Sequence, residues 1–312
     1  MTPPRVATRA LVAAMRMPAR LIPGWFPLVI ERVHGLLGLV GDQEVEVDGL
    51  RMTVDIDEYT QRRLFYRCHE PHEARRVRGL LRPGDIFVDI GAHVGLFTLI
   101  GAARVGNTGQ VYAFEPVPRN FSTLERNVRR NSIQNVTLNR AAVTNRSGQV
   151  SLGLDEEELV EKSTGAFTIG GVYGSLEAPA VSLDAYLELV GESRQLRLVK
   201  IDVEGLEPEV LLGAERTLAA MPPDAILFEH NATQLRRRGH AADAVVKKLE
   251  GHRYVLYRID PLGRLRHLDH VWEDDGDDSM SRSPLAAGLA LRRTLFNVLA
   301  VRRGVLSAAQ AR

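Results

Sequence analysis

Charged side chains stand where a predicted apolar strand comes to its end. The run LRLV leads into KIDVEG, so Lys200, Asp202 and Glu204 occupy the end of the strand and the turn after it. Ionised side chains are rarely buried without a partner, and these residues therefore need a partner or a task. Strand alternation places Lys200, Asp202 and, if the extension continues, Glu204 on one face.

A second group of residues could hold a ligand. In FVDIGAHVGLFTL, Gly91 and Gly95 lie between a buried strand and a helix, where glycine lets the backbone approach a ligand. A dinucleotide fingerprint requires G-x-G-x-x-G, whereas here the spacing is G-x-x-x-G with His93 at the middle position. The carboxylate of Asp89 would repel a pyrophosphate but suits a ligand that carries an ammonium and a sulfonium, such as S-adenosylmethionine.

The next predicted strand ends in Glu115. An acid at this position accepts the ribose hydroxyls of an adenosine in NAD sites and in S-adenosylmethionine sites alike, so alone it does not separate the two cofactors. Together, Asp89, the glycine pair and Glu115 favour S-adenosylmethionine. A tight strand-to-helix turn with a surface acid, and no ligand, is the structural alternative.

Alternating strand and helix patterns position these residues. Short apolar runs followed by helical periodicity predict strands at 86–90, 110–116, 135–139, 197–203 and 225–229. Such alternation predicts an α/β fold with a parallel sheet and helices on both faces, whose ligands bind outside the carboxyl ends of the strands. The strand-end acids of the last two runs are therefore expected to converge.

The pattern changes before and after these units. Residues 44–57 alternate about Asp48-Gly49, which predicts a hairpin, and a helix follows that stops at Pro83-Gly84. Two final strands, at 253–259 and 294–301, have no helix between them, so the last can enter antiparallel.

Two segments are predicted to be surface loops. Residues 155–180 show no clear period and are interpreted as an insertion. The acidic stretch EDDGDD at 273–278 lacks the spacing of a calcium loop and is interpreted as a solvated turn.

Composition excludes several classes of protein. The 312 residues carry a formal net charge of +1, with 45% hydrophobic and 25% charged residues, which is typical of a soluble globular protein and gives no reason to expect nucleic-acid binding. The single cysteine, Cys68, cannot form an intrachain disulfide, and no Cys/His cluster has zinc spacing. The default setting is a reducing cytoplasm. Only 4 of the 40 cationic side chains are lysine, a skew that indicates a GC-rich bacterial genome.

The termini are basic. Residues 1–41 carry five arginines against one acid, and prolines interrupt their apolar run too often for a membrane span. A helix docked on the domain, or one lying on an anionic membrane surface at the inner membrane, fits this pattern. No signal peptide is predicted. Residues 282–312 contain six arginines and no acids. We divide the chain into a helical extension (1–41), a hairpin and helix (42–82), a catalytic domain (83–303) and a tail (304–312).

Four stretches together carry a family resemblance. DIGAHVG, YAFEPVPRN, AVSLDAYL and KIDVEGLEPEVLLGA resemble the FkbM family of S-adenosylmethionine-dependent O-methyltransferases over residues 60–302. The resemblance implies a Rossmann-like class I methyltransferase fold, with a seven-stranded, mostly parallel sheet whose last strand is antiparallel. It also implies methylation of a hydroxyl on a sugar, glycolipid or polyketide.

The resemblance further implies roles for single residues. Asp89, Gly91 and Gly95 would form the loop around the methionine part of the cofactor, Glu115 would bind ribose, and Ala141 would lie beside adenine. His93 stands where the family often has asparagine, and both side chains can form hydrogen bonds.

Methyl transfer to a hydroxyl requires alignment and a base for the hydroxyl proton. Asp202 is the first candidate, as base or hydroxyl-orienting acceptor, with Lys200 keeping it ionised; Glu229 is second and His230 third. Glu207 and Glu209 suit the N-terminus of the next helix instead. Two alternatives stay open at this stage: Lys200 and Asp202 form a structural ion pair, or Asp202, Glu204 and Glu229 bind Mg²⁺.

Two other functions compete with a methyltransferase. One is an NAD-dependent dehydrogenase or sugar epimerase, disfavoured by Asp89 and the missing third glycine. The other is a non-enzymatic nucleotide-fold protein that contacts membranes through its basic termini. For the methyltransferase, the predicted acceptor is a small molecule or glycan, bound by variable loops such as 155–180 and Arg236–Arg238.

Overall fold

The computed structural model describes residues 34, 35, 37–154, 168–169, 173–268 and 295–305. The strands are β1 (Asp42–Val47), β2 (Leu50–Asp55), β3 (Ile86–Ile90), β4 (Gln110–Phe114), β5 (Val136–Asn139), β6 (Ala142–Val143), β7 (Gly148–Leu154), β8 (Thr168–Ile169), β9 (Tyr173–Val181), β10 (Leu196–Ile201), β11 (Ala225–Asn231), β12 (Tyr254–Ile259), β13 (Leu265–His267) and β14 (Leu295–Arg302). The helices are α1 (Tyr59–Phe65), α2 (Pro71–Leu80), α3 (Leu96–Val105), α4 (Pro118–Arg130), α5 (Leu183–Leu189), α6 (Glu207–Leu212), α7 (Glu215–Ala220), α8 (Ala232–Arg237) and α9 (Ala244–Gly251). Within these ranges, no helix is both long enough and apolar enough to span a membrane.

The strands whose carboxyl ends hold the candidate residues belong to one central sheet. Its strand order is β13-β12-β14-β11-β10-β3-β4-β5. Strands β5, β4, β3, β10 and β11 run parallel, and β14 is antiparallel to both of its neighbours. The predicted class I methyltransferase fold with an antiparallel last strand is thus confirmed. The short edge strand β13 is an addition to the predicted seven, formed where the chain turns back after β12.

The connections create a crevice at one edge of this sheet. From β3 the chain moves outward through β4 and β5, and it then returns to form β10 on the other side of β3. Ligands of doubly wound sheets bind where the strand order reverses in this way. The crevice therefore lies beyond the carboxyl ends of β3 and β10.

Two apolar layers cover the sheet. In β3 and β10, alternate residues point to opposite faces: Phe87 and Leu198 belong to one buried cluster, and Val88 and Val199 belong to the other. Helices α2 and α3 pack in the first layer, and α5, α6 and α9 pack in the second. Because both faces are covered, these strands consist mainly of apolar residues. An acid or a lysine within them, such as Asp89 or Lys200, is therefore an exception.

The interpretation of 155–180 as an aperiodic insertion is wrong for its second half. Strand β9 pairs with β7 and β6, and with β8 these strands form a second, four-stranded sheet. One face of β9 is exposed and its buried residues include the small Ala178 and Ala180, so the alternation is weak. Its antiparallel partner β7 is also distant in sequence. The rest of that insertion, at 155–167 and 170–172, lies outside the described residues.

The predicted hairpin is confirmed, and helix α4 holds it in place. Strands β1 and β2 pair around Asp48 and Gly49, both with positive φ. The outer edge of β2 bonds to side chains instead of a further strand: Asn127 Oδ1 accepts the N–H of Thr53 (2.7 Å), and its Nδ2 donates to the carbonyls of Thr53 (3.1 Å) and Val94 (2.9 Å). Asn127 therefore links the hairpin to the turn after β3.

Other predicted segments lie largely outside the described residues. Of the N-terminal extension, only residues 34, 35 and 37–41 are described. The acidic stretch 273–278 and residues 306–312 of the tail are outside, so the domain boundaries and the membrane contact of the termini stay predictions.

Replacing Asn127 with alanine removes the partners of three buried backbone groups. We expect the free energy of unfolding to fall by about 2–3 kcal/mol, because unsatisfied buried polar groups keep their desolvation cost. Asn131→Ala is the matched control: Asn131 makes the same pair of bonds to the more exposed Arg51 backbone, and its loss should cost about 1 kcal/mol or less. Urea denaturation measures both variants, and equal losses would contradict this account of the hairpin.

Candidate active site

The turn after β3 is pressed against the end of β10. Gly91 has φ 78°, and a Cβ atom there would lie 1.9 Å from the carbonyl oxygen of Asp202. The N–H of Asp202 donates to the carbonyl of Ile90 (3.1 Å). Only glycine fits such a contact, so the first glycine of the motif serves the approach of two strand ends.

A buried ammonium occupies this junction. Lys200 Nζ donates to Asp202 Oδ2 (3.0 Å) and to the carbonyl of Gly91 (3.3 Å), and lies 3.8 Å from Asp89 Oδ1. Burial acts to lower the pKa of Lys200, but the charges of Asp202, Asp89 and Glu70 outweigh it and the pKa is raised. The lysine is therefore charged, and it holds Asp202 in a defined orientation.

Asp89 stands behind this lysine and is not among the residues that line the two cavities described below. Its side chain is fully buried, and its Oδ2 accepts a hydrogen bond from Thr98 Oγ1 (2.6 Å). Burial raises the pKa of Asp89, while Lys200 and Thr98 act in the opposite direction. The predicted cofactor contact of Asp89 stays a prediction; in the structure its carboxylate lies beside Lys200.

Glu115 joins the glycine turn to the end of β4. Its Oε2 accepts the backbone N–H of His93 (2.8 Å), and its Oε1 accepts that of Val117 (2.9 Å). Burial raises the pKa of Glu115 to about 7, although these N–H donors act to lower it. Oε1 also accepts from Asn120 Nδ2 (3.4 Å), so Oε2 is the oxygen that keeps acceptor capacity for a ribose hydroxyl.

Two adjoining cavities meet at these residues. The first is an apolar groove lined by Ile90, Gly91, Phe114, Glu115, Pro116, Val117, Ala141, Ala142, Val143, Leu152, Ile169, Asp202, Val203 and Leu206. The second is a polar cavity of about 350 Å³, whose charged and imidazole groups come from Arg63, His69, Glu70, His93, Glu115, Lys200, Asp202, Glu204 and Glu229. Gly91, Glu115 and Asp202 belong to both, so the groove opens beside the carboxylate of Asp202.

The residues present fit S-adenosylmethionine. The groove offers apolar walls for a base, including the predicted Ala141, and Glu115 offers acceptors for a ribose at the junction with the polar cavity. Leu152 and Ile169, from the second sheet, also line the groove, and they could not be found from the sequence because β7 and β8 were not assigned to the site.

Three carboxylates converge in the polar cavity. Oxygens of Asp202, Glu204 and Glu229 lie within 4.8 Å of one another. Burial, followed by repulsion from Glu204 and Asp202, raises the pKa of Glu229 well above its ordinary range. Extension stops at Ile201, yet the left-handed turn at Glu204 (φ 53°) keeps its carboxylate with the others. This is the set for which the sequence suggests Mg²⁺, and it can equally share a proton.

His230 is not brought to the site. Alternation along β11 turns it away from Glu229, and its ring packs on Phe296 with centroids 4.7 Å apart. Its side chain is buried, and burial lowers the pKa of His230 to about 4. Glu207 accepts the N–H of Gly205 (3.2 Å) and Glu209 pairs with His240 (2.6 Å), which are structural roles.

Sequence reasoning missed one wall of the polar cavity. Arg63, His69 and Glu70 come from α1 and the connection to α2, and Asn297 comes from β14. The stretch CHEPHE, with two histidines and two glutamates, is the one local signal that could have drawn attention to it.

The segment that carries the site matches known proteins. Residues 89–256 match the sequence profile described as Methyltransferase FkbM domain. The 31-O-demethyl-FK506 methyltransferase FkbM of Streptomyces tacrolimicus is 33% identical over 63% of this chain and 81% of its own length. The hexuronic acid methyltransferase AglP of Haloferax volcanii is 30% identical over 44% of this chain and 53% of its own.

The matches differ in extent. The aligned segments span 53%, 60% and 81% of the length of three curated relatives. Among solved structures, the S-adenosylmethionine-dependent O-methyltransferase of Thermotoga maritima aligns with 84% of this chain and 85% of its own, at 13% identity and a TM-score of 0.38.

The buried acids predict a pH dependence of stability. Burial raises the pKa of Glu115 to about 7 and, with repulsion from Asp202, that of Glu70 to about 8; the pKa of Glu229 is raised as well. A folded state that holds protons which the unfolded chain has released loses stability as pH rises, here between about 4.5 and 8. Burial lowers the pKa of His69, His93 and His230, and these groups act in the opposite direction below about pH 6.5. We therefore expect the Tm to fall between about pH 6.5 and 8.

Glu229→Gln should reduce this fall, because it removes a buried group that repels its neighbours when ionised. At pH 8 we expect the variant to unfold at least about 2–4 °C above the wild type, which corresponds to about 1 kcal/mol. Thermal unfolding from pH 5 to 8 measures it, with the more exposed Glu125→Gln as control. Identical wild-type and Glu229→Gln profiles would contradict the electrostatic account.

Proposed function

Because the chain belongs to the FkbM methyltransferase family, we propose that it transfers a methyl group from S-adenosylmethionine to a hydroxyl of a sugar, glycolipid or polyketide-type acceptor. Dependence on S-adenosylmethionine and methyltransferase activity follow from the family; the hydroxyl acceptor is the proposed part. The observation that carries it is the polar cavity, which adjoins the groove at Asp202 and is rich in carboxylates. The names of two relatives, which act on 31-O-demethyl-FK506 and on a hexuronic acid, support a small-molecule or sugar acceptor.

A hydroxyl-rich acceptor suits this cavity. At about 350 Å³ the cavity falls within the range of small-molecule sites. Carboxylates, imidazoles and the amide of Asn297 offer hydrogen-bond partners on several walls. An acceptor without polar groups would leave these partners unsatisfied, so the cavity favours a polyol over a hydrocarbon.

The chain's own residues would divide the work between the two cavities. S-adenosylmethionine, when bound, supplies a methyl group on a sulfonium, which is already a good leaving group. Glu115 would hold the ribose, and Ala141 and Leu152 would pack beside the base in the groove. The protein must then align the acceptor hydroxyl and remove its proton.

We propose that Asp202 takes that proton. It lines both cavities and its side chain is 32% exposed, so an acceptor can reach it. Lys200 occupies Oδ2, which leaves Oδ1 for the hydroxyl. The lysine fixes the carboxylate in one orientation, so the structural ion pair and the base are compatible roles for the same residues.

The competing functions receive no support from the site. Family membership supports S-adenosylmethionine as the cofactor in place of NAD, and we propose that the glycine-rich turn holds it. We place the enzyme in the cytoplasm, with peripheral contact to the inner membrane through its basic termini. That contact rests on the charge pattern of the sequence alone.

Asp202→Asn should lower turnover by about 10²-fold or more, because an amide cannot accept the hydroxyl proton. Transfer of radiolabelled methyl from S-adenosylmethionine into fractionated cell glycans and lipids measures turnover. Calorimetry should show little change in cofactor affinity. Asp243→Asn, at the N-cap of α9 and paired with Lys247, is the matched control.

Two outcomes would contradict the role of Asp202 as base. Wild-type turnover in a folded Asp202→Asn protein would remove it from the chemistry. Loss of wild-type activity in EDTA, restored by Mg²⁺, would favour the metal alternative, since a carboxylate base requires no ion.

A further inference from the structure

The connection between α1 and α2 contributes a carboxyl group to the polar cavity. Glu70 lines it together with Lys200, Asp202 and Glu229. Its side chain is mostly buried, and its Oε2 lies 3.7 Å from His69 Nε2. None of the residues from which the methyltransferase motifs are recognised lies in this segment.

The backbone holds Glu70 in an unusual conformation. Its φ is 43° and its ψ is 49°, in the left-handed region that non-glycine residues rarely adopt, and Pro71 follows it. Glu70 is the N-cap of α2, yet its side chain makes no capping bond to the helix. Such backbone conformations persist where the surrounding structure imposes them, and they cluster at ligand sites.

Helix α2 fixes this position firmly. One turn after Glu70, the buried Glu73 accepts a hydrogen bond from Asn297 Nδ2 (2.9 Å). Asn297 is the register partner of Glu229 across β14 and β11. Val77 and Leu80 bury the other face of the helix in the core. The position of Glu70 is therefore tied, through Glu73, to β14, which is the neighbour of the strand that carries Glu229.

We propose that Glu70 contacts the acceptor and determines acceptor specificity, by binding a hydroxyl of the acceptor next to the one presented to Asp202. This inference rests on the proposed function and adds the residue that recognises a neighbouring hydroxyl. Glu70 and Asp202 then bind two hydroxyls of one polyol, from two different walls of the cavity.

The charges around Glu70 suit a neutral polyol. Burial, then Asp202 and Glu73, raise the pKa of Glu70 to about 8, while Lys200 and Arg63 act in the opposite direction. At neutral pH the carboxyl group is thus able to donate a hydrogen bond as well as accept one. The groups that face it are Arg63, His69, Glu73, Lys200, Asp202 and Glu229. Lys200 already donates to Asp202 and Gly91, which leaves it poorly placed to receive an acidic acceptor.

The test compares Glu70→Ala and Glu70→Gln with the wild type. The probe is the glycan or lipid fraction that the wild type labels most strongly with radiolabelled methyl. We expect Glu70→Ala to raise the KM for this fraction about tenfold, which corresponds to one lost hydrogen bond. Glu70→Gln should raise it less, about threefold, because an amide both donates and accepts. The dissociation constant of S-adenosylmethionine, measured by calorimetry, should stay within about twofold of the wild type.

Controls separate this inference from the function on which it rests. Glu250→Gln, at the exposed end of α9, should leave both the acceptor KM and the dissociation constant of S-adenosylmethionine unchanged. If both Glu70 variants keep the wild-type KM for the acceptor, the proposed role of Glu70 is overturned, while the proposed function is not. The same holds if the affinity for S-adenosylmethionine falls by as much as the acceptor KM rises. If Glu70→Ala does not fold, the isosteric Glu70→Gln decides by the same comparison. Failure of the wild type to label any fraction would contradict the proposed hydroxyl acceptor itself, and this inference with it.

Discussion

The buried ammonium of Lys200 is the interaction on which the site depends. It sits among the ends of β3 and β10, where it binds Asp202 and the carbonyl of Gly91 and lies beside the fully buried Asp89. Without a cation, two carboxylates at this junction would repel each other in a low-dielectric setting. With it, the two strand ends can meet at the contact that excludes any side chain from Gly91.

This arrangement connects folding to catalysis. The same lysine that neutralises Asp89 also orients Asp202 toward the place where the apolar groove meets the polar cavity. Elsewhere in that cavity, burial and repulsion from neighbouring carboxylates raise the pKa of Glu70 and of Glu229. Stability is therefore reduced where chemistry is expected, as is common in active sites.

Sequence patterns predicted the framework because they are local. Apolar runs identified β3, β4, β10 and β11, and the rule that ligands bind beyond their carboxyl ends brought Asp202 and Glu229 to one cavity. Strand alternation also directs Glu229 and His230 to opposite faces of the sheet, although both are candidates from the sequence alone. Glycine spacing predicted the turn after β3. That position 91 must be glycine follows from the contact with Asp202, which depends on packing across the sheet.

What sequence reasoning missed depends on distant contacts. Strand β9 is recognisable only with its partner β7, and Glu70 reaches the cavity only because α2 packs against β14. The buried carboxylate of Asp89 accepts a hydrogen bond from Thr98 and lies beside Lys200, and no motif encodes either contact. Chemistry-bearing residue types were thus predictable, but their neighbours were not.

The chemical nature of the transferred methyl tests the central claim most directly. After wild-type enzyme has labelled a glycan or lipid fraction from radiolabelled S-adenosylmethionine, mild alkali distinguishes a stable methyl ether from a labile methyl ester. A cavity that aligns a hydroxyl with Asp202 predicts an alkali-stable methyl ether. Release of the label as methanol would show a carboxylate acceptor and would contradict the account.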